Sequence, residues 1–259
     1  GPAAALLPIW HVDARRALFV GPLGHNAPHA HSVPVYLAGL YDLFRLRING
    51  GPWRHCRTAV IPAGVSYEFD VAGQPLAVFY LEPGEAGMEA LTPLVSNADD
   101  AHGAYYGHGG EYRVFRELYE SPAGACDAAA ALDGVLAYSK KRGRPALDAR
   151  ITAALALLAD CDADGDQTLS AEEAAQRVGL SLSRFQHLFA REVGVPFRRF
   201  RSWQRLRRAI ESITSGATFT VAAHDAGFYD QAHFARTFRQ TFGAPASPSL
   251  RQVRVTAHR

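Results

Sequence analysis

The C-terminal third of this sequence contains one pattern twice. The first copy has Ala175 four residues before Gly179, and the second has Ala223 four residues before Gly227. A small residue at this distance from a glycine lets two helices approach closely and turn sharply. In each copy two phenylalanines four residues apart follow the glycine, which predicts a second helix with one buried face. Each copy is interpreted as a helix-turn-helix, and together they predict an all-α domain over 161–259.

Capping signals indicate where the second helix of each copy begins. Ser181 or Ser183 can cap a helix in the first copy, and Asp230 can cap one in the second. The predicted helices cover about 182–191 and 230–241.

The segment 197–214 between the copies predicts one long connecting helix. Its apolar stripe consists of Trp203, Leu206, Ile210 and Ile213, and most of its arginines lie off that stripe. At about 1.5 Å per residue the helix is roughly 27 Å long, comparable to the pitch of B-DNA of about 34 Å. The two flanking helices could therefore enter successive segments of one major groove.

Charge is distributed unevenly along the chain. Residues 170–259 contain 14 Arg, no Lys and 6 acidic residues, a net charge of +8, whereas 1–169 carry −6. A basic half that also contains paired helix-turn-helix patterns is typical of a protein that binds nucleic acid.

Two segments resemble a known family. Ser181–Phe197 is similar to the first recognition helix and its exit in the AraC/XylS family of bacterial transcription regulators, and Ala222–Gly243 resembles that family's second motif. The segment Gly243–Arg251 departs from the family, because it is one residue longer and has Leu250 in place of an aromatic residue. The resemblance implies a regulator that binds promoter DNA, works with RNA polymerase if it is an activator, and responds to a small organic effector.

The resemblance also implies which side chains contact DNA. Gln can pair with adenine and Arg with guanine, whereas arginines beside phosphates add affinity without sequence choice. Base contacts are implied at Ser183, Arg184, Gln186, His187, Asp230, Gln231, Ala232, His233 and Arg236. Phosphate contacts are expected at Arg198, Arg199, Arg205, Arg207, Arg208 and Arg239.

The region 1–84 has short apolar runs separated by Gly and Pro, which predicts a small antiparallel barrel or sandwich. His29-x-His31 and Pro62-x-Gly64 resemble cupin motifs, so a cupin-like sensor barrel is expected here. The predicted fold class is α+β multidomain: this barrel, a helical linker and dimerisation region over 85–160, and the C-terminal all-α domain.

The two histidines raise the question of a metal. A metallo-cupin has a glutamate after its histidine pair, which is missing here, and Tyr67 stands where its last histidine is expected. Two imidazoles alone can hold a metal, so a metal-dependent cupin enzyme or metal sensor stays open as an alternative. The favoured interpretation has no cofactor, and His29, His31 and Tyr67 line an organic effector pocket in a non-enzymatic protein.

Helical spacing returns in the predicted linker 85–160. Leu132, Val135 and Leu136 form a stripe that either contacts a second copy in a homodimer or packs on the barrel. The dimer is the favoured alternative, because family members with such sensor domains often dimerise.

The stretch 162–173 resembles a calcium-binding EF-hand loop, with Asp162, Asp164, Asp166 and Glu173 as candidate ligands. Gln167 occupies the position that calls for glycine, and Glu173 also fits a capping box with Ser170. An acidic interdomain linker is therefore favoured over a calcium site.

The remaining sequence features concern the cell compartment. Cys56, Cys126 and Cys161 are odd in number and far apart, which predicts free thiols rather than a disulfide framework. No apolar run approaches 18 residues and no signal-peptide pattern is present, so a cytoplasmic location away from membranes is expected. The effector, the operator and the sign of regulation do not follow from the sequence.

Overall fold

The structure is a computed structural model that describes residues 6–84, 88–140, 147–163, 169–251 and 253–255. Its strands in chain order are β1 (Ile9–Val12), β2 (Arg16–Pro22), β3 (His25–His29), β4 (Val35–Gly39), β5 (Phe44–Ile48), β6 (Trp53–Cys56), β7 (Thr58–Ile61), β8 (Tyr67–Asp70), β9 (Pro75–Leu81), β10 (Val95–Ser96), β11 (Asp99–Ala101), β12 (Ala104–Gly107), β13 (Gly109–Gly110) and β14 (Arg254–Val255). Its α-helices are α1 (Arg113–Glu120), α2 (Gly124–Lys140), α3 (Ala149–Ala163), α4 (Ala171–Arg177), α5 (Leu182–Val193), α6 (Phe197–Thr214), α7 (Phe219–Asp225), α8 (Gln231–Phe242) and α9 (Ala246–Leu250).

Two larger sheets and one small one form the N-terminal part. An eight-stranded sheet has the order β11-β12-β7-β4-β9-β2-β1-β14, a four-stranded sheet has the order β3-β8-β5-β6, and β10 pairs with β13. Apolar side chains of both larger sheets meet in one core, including Phe19 and Leu37 from the first and Leu46 and Phe69 from the second. The predicted β-rich domain is confirmed, whereas closure into a barrel is not, because the described strands form separate hydrogen-bonded sheets.

The strands continue past the boundary predicted near residue 84. The hairpin of β11 and β12 turns at His102 and Gly103, which have φ values of 51° and 79°. Such a pair of positive φ values is typical of a two-residue turn whose twist matches that of the flanking strands. The spacing of Met88, Leu91, Leu94 and Val95 predicts a helix in this region, but the chain forms two short 3₁₀ turns and then strands.

The helix α2 covers the outer face of the eight-stranded sheet. Leu132, Val135 and Leu136 are at most 6% exposed and pack in a second core with strand residues of that face. The buried Arg16 of β2 forms an ion pair with this helix, since its Nη1 lies 2.6 Å from the Asp133 carboxylate. The prediction that these three residues form a free surface for a homodimer is therefore wrong, because the sheet of the same chain covers them.

The C-terminal helices agree with the sequence pattern. The connector α6 spans the predicted 197–214, and its four stripe residues Trp203, Leu206, Ile210 and Ile213 are buried. Side chains of these helices belong to the same core as the interior of the two sheets. The strand β14 leaves the helical domain and pairs in parallel with β1. In the described ranges, no helix combines the length and the apolar character needed to cross a bilayer.

Candidate nucleic-acid interface and internal cavity

The helix α5 begins and ends where its sequence signals predict. The Ser181 hydroxyl accepts a hydrogen bond from the Arg184 backbone N–H, and Gly194 ends the helix with a φ of 94°. Phe185 and Phe189 are fully buried, so the opposite side of the helix faces solvent. All four predicted base-contacting side chains on this helix are exposed: Ser183, Arg184, Gln186 and His187.

A basic depression of about 400 Å³ lies on this exposed side. Arg184 and His187 line it together with two residues that were not predicted, Arg150 of α3 and Arg191 at the end of α5. Arg150 is partly neutralised by Asp148, whose carboxylate oxygens lie 2.9 and 3.0 Å from its guanidinium nitrogens. The concentration of guanidinium groups beside a recognition helix suits a phosphate backbone.

The helix α8 presents a similar exposed row. The Asp230 carboxylate accepts a hydrogen bond of 2.7 Å from the backbone N–H of His233 and so caps the helix as predicted. Gln231, Ala232 and Arg236 are exposed. His233 is half-buried instead, because its ring packs on Phe228 at 5.2 Å and its Nδ1 accepts from the backbone N–H of Tyr229.

The arginines predicted to contact phosphate separate into two groups. Arg198 and Arg239 are exposed and Arg205 is half-exposed, so they are accessible to a ligand. Two others have partners within the chain: Arg199 donates to the Ala30 carbonyl at 3.0 Å, and Arg208 lies 3.5 Å from Asp162.

Arg207 corrects the prediction most clearly. It is 4% exposed, its Nη1 lies 2.7 Å from Glu82, and its Nη2 lies 2.8 Å from Asp162. Glu82 also accepts a hydrogen bond of 2.8 Å from the indole N–H of Trp203. Burial raises the pKa of Glu82, and the Arg207 guanidinium and the Trp203 indole oppose that rise. The Arg207 guanidinium therefore joins the connector α6 to the β-rich part instead of facing solvent.

The predicted effector-pocket residues are brought together in the core. His29, His31 and Tyr67 are at most 6% exposed, and the two histidine rings lie 4.9 Å apart. His31 Nε2 and the Tyr67 hydroxyl are hydrogen-bonded at 2.8 Å, and His29 Nδ1 donates to the Ala27 carbonyl. Burial lowers the pKa of His29 to about 4, so the imidazole is neutral at physiological pH.

These contacts bear on the metal alternative. One nitrogen of each imidazole is hydrogen-bonded to a protein partner. The nearest phenol ring is that of Tyr67 for His29, at 4.4 Å, and that of Tyr80 for His31, at 4.9 Å. Among the residues with described positions, no group of three or more His, Cys, Asp or Glu side chains could hold a metal ion. The cysteines are free thiols, as predicted.

A small cavity lies between the sheets and the second helix-turn-helix. His29, Trp10 and Tyr80 line it from the β-rich part, and Phe238 and Phe242 line it from α8. Its volume is about 30 Å³, which is room for about one water molecule. Phe242 is 6% exposed and its ring lies within 6.2 Å of the rings of Trp10, His31, Tyr80 and Trp203. Phe242, the last residue of α8, therefore packs into the space between the sheets and this helix and leaves little room there.

The candidate calcium loop is only partly described. Asp164 and Asp166 lie outside the described residues. Asp162 is paired with Arg207 and Arg208, and Glu173 accepts from the Ser170 backbone N–H in the predicted capping box. The two outer candidate ligands are thus engaged in other interactions, as the favoured interpretation of an interdomain linker expects.

Sequence comparison connects the helical part to known proteins. Residues 174–252 match the family described as "Helix-turn-helix domain". Over 106 residues the chain is 33% identical to the arabinose operon regulatory proteins of Salmonella typhimurium and of Escherichia coli. The match covers 40% of this chain and 36% and 35% of those proteins, so the chain aligns with about a third of the length of these curated relatives.

Structural comparison extends over nearly the whole chain. ToxT from Vibrio cholerae with a bound unsaturated fatty acid has a TM-score of 0.58 at 11% identity, covering 95% of this chain and 99% of that one. An apo variant of ToxT has a TM-score of 0.61 at 10% identity, covering 94% and 100%. At these identities the likeness concerns the fold: an N-terminal β-sheet domain followed by a helical C-terminal domain.

Proposed function

We propose that the chain is a member of the AraC/XylS family of helix-turn-helix regulators, that it binds promoter DNA sequence-specifically and controls transcription, and that it is not an enzyme. The observation that carries this proposal is the pair of exposed polar rows on α5 and α8, one at each end of the connector α6. The connector of 18 residues is about 27 Å long, so both rows can face successive segments of one major groove.

The contacts divide between base readout and backbone anchoring. Gln186 and Gln231 can read adenine, and Arg184 and Arg236 can read guanine or bind phosphate. Arg198, Arg205 and Arg239 supply the nonspecific, salt-dependent part of the affinity. A homodimer stays a prediction of the sequence, since its proposed stripe is buried within the monomer.

The direct test is selection of bound duplexes from a random DNA pool by the purified full-length chain at two salt concentrations. We expect enrichment of a bipartite site whose half-motifs lie about one helical turn apart. The double variant Gln186→Ala/Arg236→Ala is the matched control, because both side chains are exposed and their removal leaves the core intact. Failure of the wild-type chain to enrich any duplex at either salt concentration would contradict the proposal.

We further propose that an apolar effector binds the cavity next to Phe242 and competes with that side chain. Ligand pockets usually measure about 300–1,000 Å³, far more than the present 30 Å³, so the effector must displace Phe242 together with the end of α8 that carries it. Displacement would shift α8, and with it one recognition helix, relative to the sheets. Effector binding and DNA binding are coupled through this one residue.

The likeness to ToxT makes an acyl chain the first ligand class to test. The cavity walls are largely aromatic, but the twelve described residues that line it include no Lys or Arg, so a carboxylate finds no cation among them. An uncharged head group is therefore favoured.

The test compares a long-chain monounsaturated alcohol with the corresponding fatty acid by thermal unfolding of the full chain. We expect the alcohol to raise Tm more than the acid, and the variant Phe242→Ala to show a larger ligand-induced shift than wild type because the cavity is opened. A larger shift with the acid would contradict the uncharged head group. An unchanged shift in Phe242→Ala would contradict competition with this ring.

A further inference from the structure

The two recognition helices differ in charge at their N-terminal ends. The first turn of α5 contains Arg184, and Arg150 of α3 lines the same depression. The corresponding loop and first turn of the second motif, residues 225–232, contain no Lys or Arg and have two exposed carboxylates, Asp225 and Asp230. Electrostatics thus favours phosphate at the first site and opposes phosphate at the second.

The second site instead presents an apolar ring. Tyr229 is 90% exposed, more than any other exposed large hydrophobic side chain in the described part of the chain. Ala232, one helical turn away, is exposed as well. The Tyr229 ring, directly before α8, is therefore accessible to a ligand that approaches the exposed side of this helix.

The backbone under Tyr229 is held firmly in place. Its N–H donates to His233 Nδ1 at 3.2 Å, and the next residue, Asp230, caps α8. The first turns of α7 and α8 are joined by a hydrogen bond of 3.0 Å between the Thr220 hydroxyl and Gln231 Oε1. The ring therefore projects from a preorganised position, which limits the loss of entropy on binding.

We propose that Tyr229, together with Ala232, contacts the 5-methyl groups of thymines in the major groove. This inference rests on the proposed function, since it assumes that α8 enters the groove. Thymine is the only base that presents a methyl group there, and apolar side chains recognise it by contact. The aspartates on either side disfavour the alternative contact of the phenol with a phosphate. Apolar contact by Tyr229 and Ala232 thus adds to the readout of the second half-site by Gln231 and Arg236.

The experiment uses the full-length chain and the duplex that it enriches from a random pool. Each thymine of that duplex is replaced in turn by uracil, which removes only the methyl group. We expect one or two positions within one half-site to lose about three- to fivefold in affinity, the effect of one buried methyl group. Tyr229→Ala should bind the thymine duplex about tenfold more weakly than wild type, the size of one good base contact. Replacing the sensitive thymine by uracil should then cause no additional loss of affinity in this variant.

Two further variants separate the ring from the hydroxyl and from general exposure. Tyr229→Phe should bind as wild type does, because the ring is retained. Tyr138→Ala, which removes a 57% exposed tyrosine from α2, should also bind as wild type does.

Three results would overturn the inference while leaving the proposed function intact. They are a duplex without any uracil-sensitive position, equal uracil sensitivity in Tyr229→Ala and wild type, and a reduction of affinity in Tyr229→Phe as large as that in Tyr229→Ala. Failure to enrich any duplex would overturn the proposed function and this inference together.

Discussion

Replacing Arg207 by Met tests whether this side chain joins the two parts of the chain or neutralises DNA phosphates. The guanidinium lies 2.7 Å from Glu82, 2.8 Å from the Ala14 carbonyl and 2.8 Å from Asp162, and the residue is 4% exposed. Removing one partner of a buried ion pair leaves the other charge uncompensated and costs about 3–5 kcal/mol. We expect the free energy of unfolding to fall by about this amount.

Two measurements on the full-length chain separate the roles. Urea denaturation gives the free energy of unfolding, and the dependence of duplex affinity on salt gives the number of phosphates neutralised. Arg207→Met should lower the free energy of unfolding and leave the dependence of duplex affinity on salt unchanged. The matched control Arg198→Met removes an exposed arginine from the same helix and should lower the slope by about 0.9 with little effect on stability.

The reasoning would be refuted if Arg207→Met lowered the salt slope as Arg198→Met does while the free energy of unfolding stayed unchanged. A second variant keeps the reasoning testable if Arg207→Met does not fold. Glu82→Leu/Arg207→Met removes both charges of the pair, and apolar replacement of a buried pair is often neutral. The double variant should therefore be more stable than Arg207→Met alone, by about 1–3 kcal/mol since Asp162 keeps Arg208 as a partner.

Three further outcomes follow from the same contacts. Gly243→Ala should destabilise the chain by about 1–3 kcal/mol more than the matched Gly179→Ala in urea denaturation. Both glycines have positive φ, but only at residue 243 would an added Cβ meet another part of the chain, the Ala27 carbonyl oxygen at 2.7 Å. Equal destabilisation by the two substitutions would contradict the contact between the helical and β-rich parts. His29 has a folded-state pKa of about 4 against 6.5 when unfolded, so stability should fall by up to about 3 kcal/mol as pH drops from 6.5 to 4, and His29→Gln should flatten that profile in denaturation at several pH values. Gln186→Ala should reduce the discrimination between selected and scrambled duplexes by about 1–3 kcal/mol, the value of one good base pairing by a side chain, and an unchanged ratio of affinities in competition binding would remove this residue from base readout.

The helices of the DNA-binding half could be predicted because their signals are local. Ser181 and Asp230 cap helices within three residues of their own position, and the buried stripe of α6 repeats within one helix. The exposed base-contacting candidates on α5 follow from the same periodicity, since a helix that buries Phe185 and Phe189 must expose the opposite face.

The errors concern contacts between segments far apart in the sequence. Arg207 meets Glu82, which lies 125 residues away, and a row of arginines on one helix gives no sign that one of them is buried. The stripe on α2 has the same periodicity whether it covers a sheet or a second copy. The strands after residue 94 are two to four residues long, too short for alternation to distinguish them from a helical pattern.

The pairing of β14 with β1 has a consequence for synthesis of the protein. Ile9 is partnered by Arg254, and Trp10 by Val255, so the outer edge of β1 has no partner until the far end of the chain has been made. At about 5–20 residues per second, roughly 10–50 s pass between translation of the two strands. For that time the newly made chain carries an open sheet edge, the kind of surface that pairs with other unfinished chains.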